Sequence, residues 1–348
     1  MTTMREVARL AGVSASTVSR ALSGHPYVEA ELRERIRALA DELGYRPNPL
    51  ARGLRSSRSN TIGLIIPDVF NPSYYGIAGV LQSRLRDLGY GLLLEVTNND
   101  RETDRRCLAH FYEQHVAGIF YVPSSATTPV TVDERAADVP LVELFRRTTS
   151  SPFDGIVHDE DVGAHRIAEH LVGLGHERIG MIAGPRGYST TRRRVNGALD
   201  ALRAAGRDPG LLRVVHREYS VPGGERGFDE LLDLRPAPTA VIAASSHFVL
   251  GALLAARRRG VTIPRQLSLA GMGDPDWYQV AQAPVTTYAF PIRELGLLAA
   301  HLLVSRLDQV DPRERPTQIV VSGTLLKRES TGAPPRSRAP SKRRGRAR

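Results

Sequence analysis

Cysteine is nearly absent. Cys107 is the only one in 348 residues, which excludes a disulfide framework and a cysteine-based zinc site. Aromatic residues make up 6% of the chain, with Trp277 the single tryptophan. No apolar run approaches the roughly 18 residues a membrane span needs, so no membrane partner is expected. The N-terminus lacks a charged-then-apolar leader and opens on helix-forming residues. With the scarcity of cysteine, this sets the expectation of a cytoplasmic protein. The ten histidines show no metal-ligand spacing. No Gly-x-Gly-x-x-Gly and no phosphate loop follows the first strand candidate, since Thr61–Pro67 runs into Asp68-Val69-Phe70. No metal or cofactor is called for, and an enzyme is not expected.

Acidic residues are absent from the C-terminal end, and basic residues outnumber them at the N-terminal end. The net charge is +10. Residues 1–59 carry +4, and residues 333–348 carry +7 with no acidic residue, which leaves about −1 for everything between. Basic ends around a near-neutral body point to an end that faces phosphates and a body that binds something uncharged or mixed. The length implies two or three domains.

Three short helices fit the N-terminal region: Met4 to Leu10, Ala15 to Leu22 with Ser14 as N-cap, and Ala30 to Leu43 ended by Gly44. Residues 46–60 change to a Pro- and Ser-containing linker. From Thr61 onward strands alternate with helices. Strands are expected at Thr61–Pro67, Leu92–Thr97, Gly118–Val122, Leu141–Phe145, Ile179–Ala183, Leu212–Val215, Ala240–Ala244, Leu267–Ala270 and Thr317–Val321, with amphipathic helices between them. The fold class expected is an all-α helix-turn-helix head followed by an α/β core of two lobes, each a parallel sheet flanked by helices. A ligand of such a core binds in the crevice at the carboxyl ends of the strands. Residues 333–348 read as a disordered basic tail.

Residues 4–23 fit the helix-turn-helix template in register. Ala8 is small where the second helix crosses the first, Gly12 takes the turn, and Val18 packs the second helix onto the first. Ala15, Ser16, Thr17 and Arg20 then face outward at the start of the second helix, where base edges of double-stranded DNA are read. Arg20 can bond a guanine bidentately. The hydroxyls of Ser14, Thr17, Ser19 and Ser23 suit phosphates.

Val7-Ala8, Ala11-Gly12-Val13-Ser14, Thr17-Val18-Ser19-Arg20, Leu43-Gly44-Tyr45-Arg46-Pro47-Asn48 and Ala51-Arg52-Gly53-Leu54 together resemble the head of the LacI/GalR (lactose/galactose repressor) family. The resemblance continues through Phe70-Asn71-Pro72, Gly175-His176, Ile182-Ala183-Gly184-Pro185, Leu250-Gly251-Ala252 and Pro284-Val285-Thr286-Thr287. It implies a helix-turn-helix over 1–46, and a hinge helix and linker over 47–60. An effector-binding and dimerisation core would then fill 61–332, with lobes at about 61–156 plus 289–318 and about 157–288 plus 319–332. It also implies that Ala15, Ser16 and Arg20 read bases. Asn48, Ala51, Arg52, Leu54 and Arg55 of the hinge would lie on DNA, with Leu54 as a minor-groove wedge. Two departures stand out: Glu29 where the family often caps its third helix with serine or threonine, and Gly53 inside the hinge.

For the cleft, the resemblance places Tyr74 and Tyr75 where an aromatic stacks on the ligand, and Arg192 where an arginine grips its oxygens. Family carboxylates and amides fall on Phe145, Ser245, Ser246 and Gly273, with Asp274 one place later. This loss of polar groups points away from an ordinary monosaccharide and toward a more apolar or altered ligand. The function implied is a transcriptional repressor, a homodimer on a pseudo-palindromic operator, modulated by a small molecule. The alternative is a regulator with no small-molecule effector, controlled by a protein partner.

Overall fold

The computed structural model describes residues 3–22, 27–45, 59–124, 139–149, 151–308 and 315–335. It divides into two compact units, Met1–Ser59 and Asn60–Arg348.

The head holds α1 (Met4–Ala11), α2 (Ala15–Leu22) and α3 (Ala30–Glu42). Each boundary has a local cause. Glu6 N donates to the Thr3 hydroxyl at the start of α1 (3.3 Å). Gly12 ends that helix at φ +67°, in the left-handed region where a Cβ is strained. Thr17 N donates to Ser14 Oγ (3.1 Å), which caps α2 as expected. Glu29 makes no side-chain cap on α3. Instead Arg35 Nη2 donates to the Ala11 carbonyl (2.9 Å) and ties α3 to the end of α1. Val7, Val18, Ala21 and Ile36 are fully buried between the three helices.

In chain order the body runs β1 (Thr61–Ile66), α4 (Pro72–Asp87), β2 (Gly91–Val96), α5 (Arg101–Glu113), β3 (Gly118–Tyr121), β4 (Leu141–Leu144), β5 (Asp154–His158), α6 (Glu160–Gly173), β6 (Ile179–Ala183), α7 (Ser189–Ala204), β7 (Leu212–His216), α8 (Val221–Asp233), β8 (Ala240–Ala243), α9 (Ser246–Arg259), β9 (Ser268–Met272), β10 (Thr286–Ala289), α10 (Ile292–Asp308), β11 (Gln318–Val321) and β12 (Thr324–Leu326). The first sheet has the order β11-β5-β4-β3-β1-β2, the second β12-β10-β9-β8-β6-β7. Every pairing is parallel except β10 with β12. β3, β6 and β8 are buried along their whole length, as central strands covered by helices on both faces must be.

The chain passes between lobes at Asp159, at Phe290-Pro291 and at Ser322-Gly323, a few residues beyond the positions expected near 157, 288 and 319. One carboxylate joins all three passages. Asp159 accepts from Tyr288 Oη (2.8 Å) and from Gly323 N (3.2 Å), while its own amide donates to the Val321 carbonyl (3.4 Å). Tyr288 is 1% exposed. Asp159→Ala is therefore expected to cost about 1–3 kcal/mol by stranding a buried hydroxyl. A denaturant midpoint will show it, and Asp159→Asn, which keeps an acceptor, should lose less.

The segment after β12 packs into the second lobe. His176 Nε2 donates to the Gly332 carbonyl (2.9 Å) and Gly332 N to Ser268 Oγ (3.0 Å). Of the basic tail, only 333–335 are described. No helix among the described residues is long and apolar enough to cross a membrane.

Candidate functional site

In the head, the first turn of α2 is the surface that matters. Val18 and Ala21 are fully buried, which turns the rest of the helix outward. Ser14, Ser16 and Arg20 are exposed, and Ala15, Thr17 and Ser19 half-buried. The Ser14 hydroxyl lies 2.7 Å from Ser16 Oγ and 2.8 Å from Thr17 Oγ1. This cap fixes a row of short hydroxyls around a helix N-terminus, whose unpaired amides and dipole favour a phosphate. The expected contacts Ser23, Asn48, Ala51, Arg52, Leu54 and Arg55 lie outside the described residues.

In the body, the carboxyl ends of both sheets meet at a cleft of about 640 Å³, part of it continuous with solvent. From the first lobe come Asp68, Asn71, Ser73 and Tyr74 after β1, Asn99 after β2, Phe145 and Arg146 after β4, and His158 at the end of β5. From the second come Glu160, Thr190, Arg194, Tyr219, Ser245, Ser246, Met272 and Gly273, with Phe290 at the second passage.

Two arginines dominate the chemistry. Arg194 grips Glu160 bidentately, Nε to Oε2 at 2.6 Å and Nη2 to Oε1 at 2.9 Å, and also donates to the Ala244 carbonyl. Burial alone would lower its pKa, but the Glu160 carboxylate more than offsets this and holds it raised. The Glu160 side chain is 2% exposed. Arg146 is 5% exposed and, among the described residues, pairs with neutral groups. Its Nη1 donates to Asn99 Oδ1 (2.7 Å) and the Pro123 carbonyl (3.2 Å). Its guanidinium carbon lies 4.3 Å from the ring centre of Tyr188 and 5.5 Å from that of Tyr219. Such cation–π contacts bring about 0.5–2 kcal/mol each, against several kcal/mol to desolvate an ion.

Aromatic rings line the floor. Tyr74 meets Phe145 edge-on, ring centres 5.3 Å apart. Phe145 meets His158 at 5.6 Å, and His158 stacks on Phe290 at 4.3 Å. Phe145 sits at φ +60°, a conformation uncommon for a bulky residue. It is held by its backbone N–H, which donates to the Ile156 carbonyl (3.0 Å). Neither His158 ring nitrogen has a hydrogen-bond partner in good geometry among the described residues. Burial pushes its pKa down from 6.5 to about 3. The folded state then binds fewer protons than the unfolded between pH 6.5 and 3, so stability is lost as pH falls through that window. At pH 5 this one residue should cost about 2 kcal/mol relative to pH 7.5. Denaturant unfolding of wild type and His158→Phe at both pH values should show a pH dependence smaller by that amount in the variant.

Of the eight cleft residues expected from the sequence, Tyr74, Phe145, Ser245, Ser246 and Gly273 line the cavity. Three do not. Arg192 is exposed and away from the cavity. Two residues along a helix rotate about 200°, so Arg194 takes the inward face with Thr190, while Arg192 points away. Tyr75 is 55% exposed, one helical step round from buried Tyr74. Asp274 is held bidentately by Arg328, at 2.6 and 2.8 Å, and ties down the C-terminal segment. Phe248 is buried in the second lobe's core and Trp277 packs against it. Sequence reasoning missed Arg146, His158, Glu160 and Tyr219. Only Arg194 left a usable signal, a buried stripe of Thr190, Ala198 and Ala201 at helical spacing with Arg194 in line.

The comparisons agree with one another over most of the chain. The model of bacterial regulatory proteins, lacI family, matches residues 3–48, and that of the periplasmic binding protein-like domain matches residues 168–331. The HTH-type transcriptional regulator MalR of Streptomyces coelicolor is 32% identical over 350 residues, covering 97% of this chain and 98% of its own. The lac repressor dimer bound to operator and the anti-inducer ONPF superposes with a TM-score of 0.83 at 25% identity, over 95% of this chain and 99% of that one. The transcriptional regulator CelR–cellobiose complex gives 0.71 at 29%, over 95% and 100%. The relatives are regulators, not enzymes. With a capped reading helix in the head and a two-lobed cleft in the body, the chain belongs to the lacI family of bacterial regulatory proteins, and is a DNA-binding transcriptional regulator modulated by a small molecule.

Proposed function

We propose that two copies of this chain form a homodimer that represses transcription from a pseudo-palindromic operator, and that a ring-bearing polar molecule in the cleft changes its affinity for that operator. Ser16 and Arg20 at the start of α2 read base edges, with Ala15 against an apolar base edge. Ser14, Thr17 and Ser19 position the helix on phosphates. In the cleft, Tyr74 and Phe145 present apolar faces, Asn71, Thr190, Ser245 and Ser246 present hydrogen-bonding groups, and Arg194 is braced by Glu160. The observation that carries the reading is this cleft, built by both lobes beside the three chain passages. A ligand that touches both lobes favours one lobe spacing over another, and a change of spacing is what a head on the same chain can feel. The relatives support it: the solved structures include one described as bound to operator with an anti-inducer and one as a complex with cellobiose.

The test is operator affinity of the full-length chain by fluorescence anisotropy, with and without a panel of mono- and disaccharides and their derivatives. One panel member is expected to shift affinity by about 5- to 150-fold, the usual range of allosteric coupling. Affinity is also expected to fall steeply with salt, by about 10³–10⁵ between 50 and 200 mM if two heads make some 6–10 phosphate contacts. A footprint over a single asymmetric half-site would contradict the dimer, and a panel without any effect on operator affinity would contradict the effector.

A further inference from the structure

We infer that the small molecule taken up by this cleft is an anion, and that Arg146 receives its charged group. The inference rests on the cleft being the effector site. Among the described residues lining the cavity, Glu160 and Arg194 hold one another. Asp68 accepts from Phe70 N at 2.8 Å and lies 3.5 Å across the lobes from His247, a neutral partner whose pKa burial lowers. Arg146 has no carboxylate within ion-pair distance among the described residues, although it is 5% exposed and lines the cavity. Asp104, the buried carboxylate of the same region, is taken up by Tyr121 Oη at 2.6 Å and by Ser124 N and Oγ at 3.0 and 2.7 Å.

The neighbours that do surround Arg146 orient it without neutralising it. Asn99 and the Pro123 carbonyl fix Nη1 from the first lobe. The rings of Tyr188 and Tyr219 lie over the guanidinium from the second. The fork is thereby held flat, with the Tyr188 hydroxyl also bonded to it, and among the described residues Nη2 and Nε donate to no carboxylate. That edge is what a carboxylate or a phosphate takes with two parallel hydrogen bonds. Because Arg146 belongs to one lobe and its tyrosines to the other, an anion seated there strengthens contacts across the interface that the ligand has to hold shut. The aromatic faces of Tyr74 and Phe290 and the hydroxyls of Thr190 and Ser245 fit the rest of such a molecule. The class is a sugar or short polyol bearing a carboxylate or a phosphate.

The experiment uses the full-length chain, wild type and Arg146→Met, in a chloride buffer. The probes are matched sets: glucose, galactose and ribose, their sugar acids, and their terminal phosphates. Binding is read by calorimetry and by thermal shift. At least one anionic member is expected to bind about 30-fold or more tightly than its neutral parent, the size of a charge-assisted hydrogen-bonded pair. Arg146→Met should erase that preference. Without ligand the variant should melt no lower than wild type, since it removes a buried charge that lacks a counter-ion. The favoured arm identifies the charged group as carboxylate or phosphate. Neutral parents that bind both proteins equally well overturn the inference and leave the cleft reading standing, as does a variant that melts well below wild type because Arg146 is structural. A wild-type chain that responds to nothing in the panel overturns the inference and the reading beneath it together.

Discussion

Arg194→Met should cost the core about 3–5 kcal/mol and abolish the response to effector, because it strands Glu160 as a buried carboxylate. Glu160 has a 2% exposed side chain, and its hydrogen bonds among the described residues both run to Arg194. Desolvation is therefore already incurred in the wild type and repaid only by that pair. Arg192→Ala, two residues away and exposed, should change stability by no more than about 0.5 kcal/mol and leave the response intact. The double variant Glu160→Met/Arg194→Met separates folding from function. Replacing both ions by methylene chains should recover most of the stability, while the cleft stays deaf to effector. Urea unfolding and operator binding on the same four proteins decide the matter. A stable, responsive Arg194→Met, or an unresponsive Arg192→Ala, would reverse the assignment of the two arginines.

Arg20→Ala is expected to weaken operator binding by about 5- to 150-fold per head, the value of one bidentate arginine–guanine contact. A homodimer with both heads on DNA should lose up to the square of that. Binding to random duplex should hardly change, since phosphate contacts supply nonspecific affinity and one exposed charge is a small part of them. The head should still fold, because Val18 and Ala21 carry the packing of α2 and remain. Competition between operator and random duplex, wild type against variant, measures this. Equal losses on both DNAs would mean that Arg20 contacts phosphate only.

The legible parts of this molecule were those that local chemistry decides. Ser14 capping α2, Gly12 turning the chain at positive φ and the apolar stripe of α4 are consequences of a few neighbouring residues. Most of the body's alternation was legible for the same reason: fully buried parallel strands read as apolar runs. β5, β10 and β12 did not. β12 has three residues, none of them fully buried, and β5 and β10 carry the buried polar side chains Asp154, His158, Thr286 and Thr287 in place of an apolar run. Their burial depends on partners far along the chain, such as the Arg306 guanidinium on Asp154 at 2.9 Å.

The cleft was legible in part for a related reason. Tyr74, Phe145 and Ser245 follow strand ends, where ligand groups of this fold gather. Arg146, Tyr188 and Tyr219 come together only because loops after β4, β6 and β7 meet across the interface. No periodicity marks such a meeting. In the run Arg192-Arg193-Arg194 the family resemblance, position by position, points to Arg192. Helical phase alone separates them: Thr190 and Ala198, each four residues from Arg194, are buried.

The central claim is that one chain couples a DNA-reading head to an occupied cleft. The most direct measurement is operator affinity at fixed salt, taken with and without whichever small molecule most stabilises the full-length protein. The account predicts a change of about 5-fold or more that vanishes in Glu160→Met/Arg194→Met. Operator affinity that stays the same while calorimetry shows the molecule bound in the cleft would contradict it.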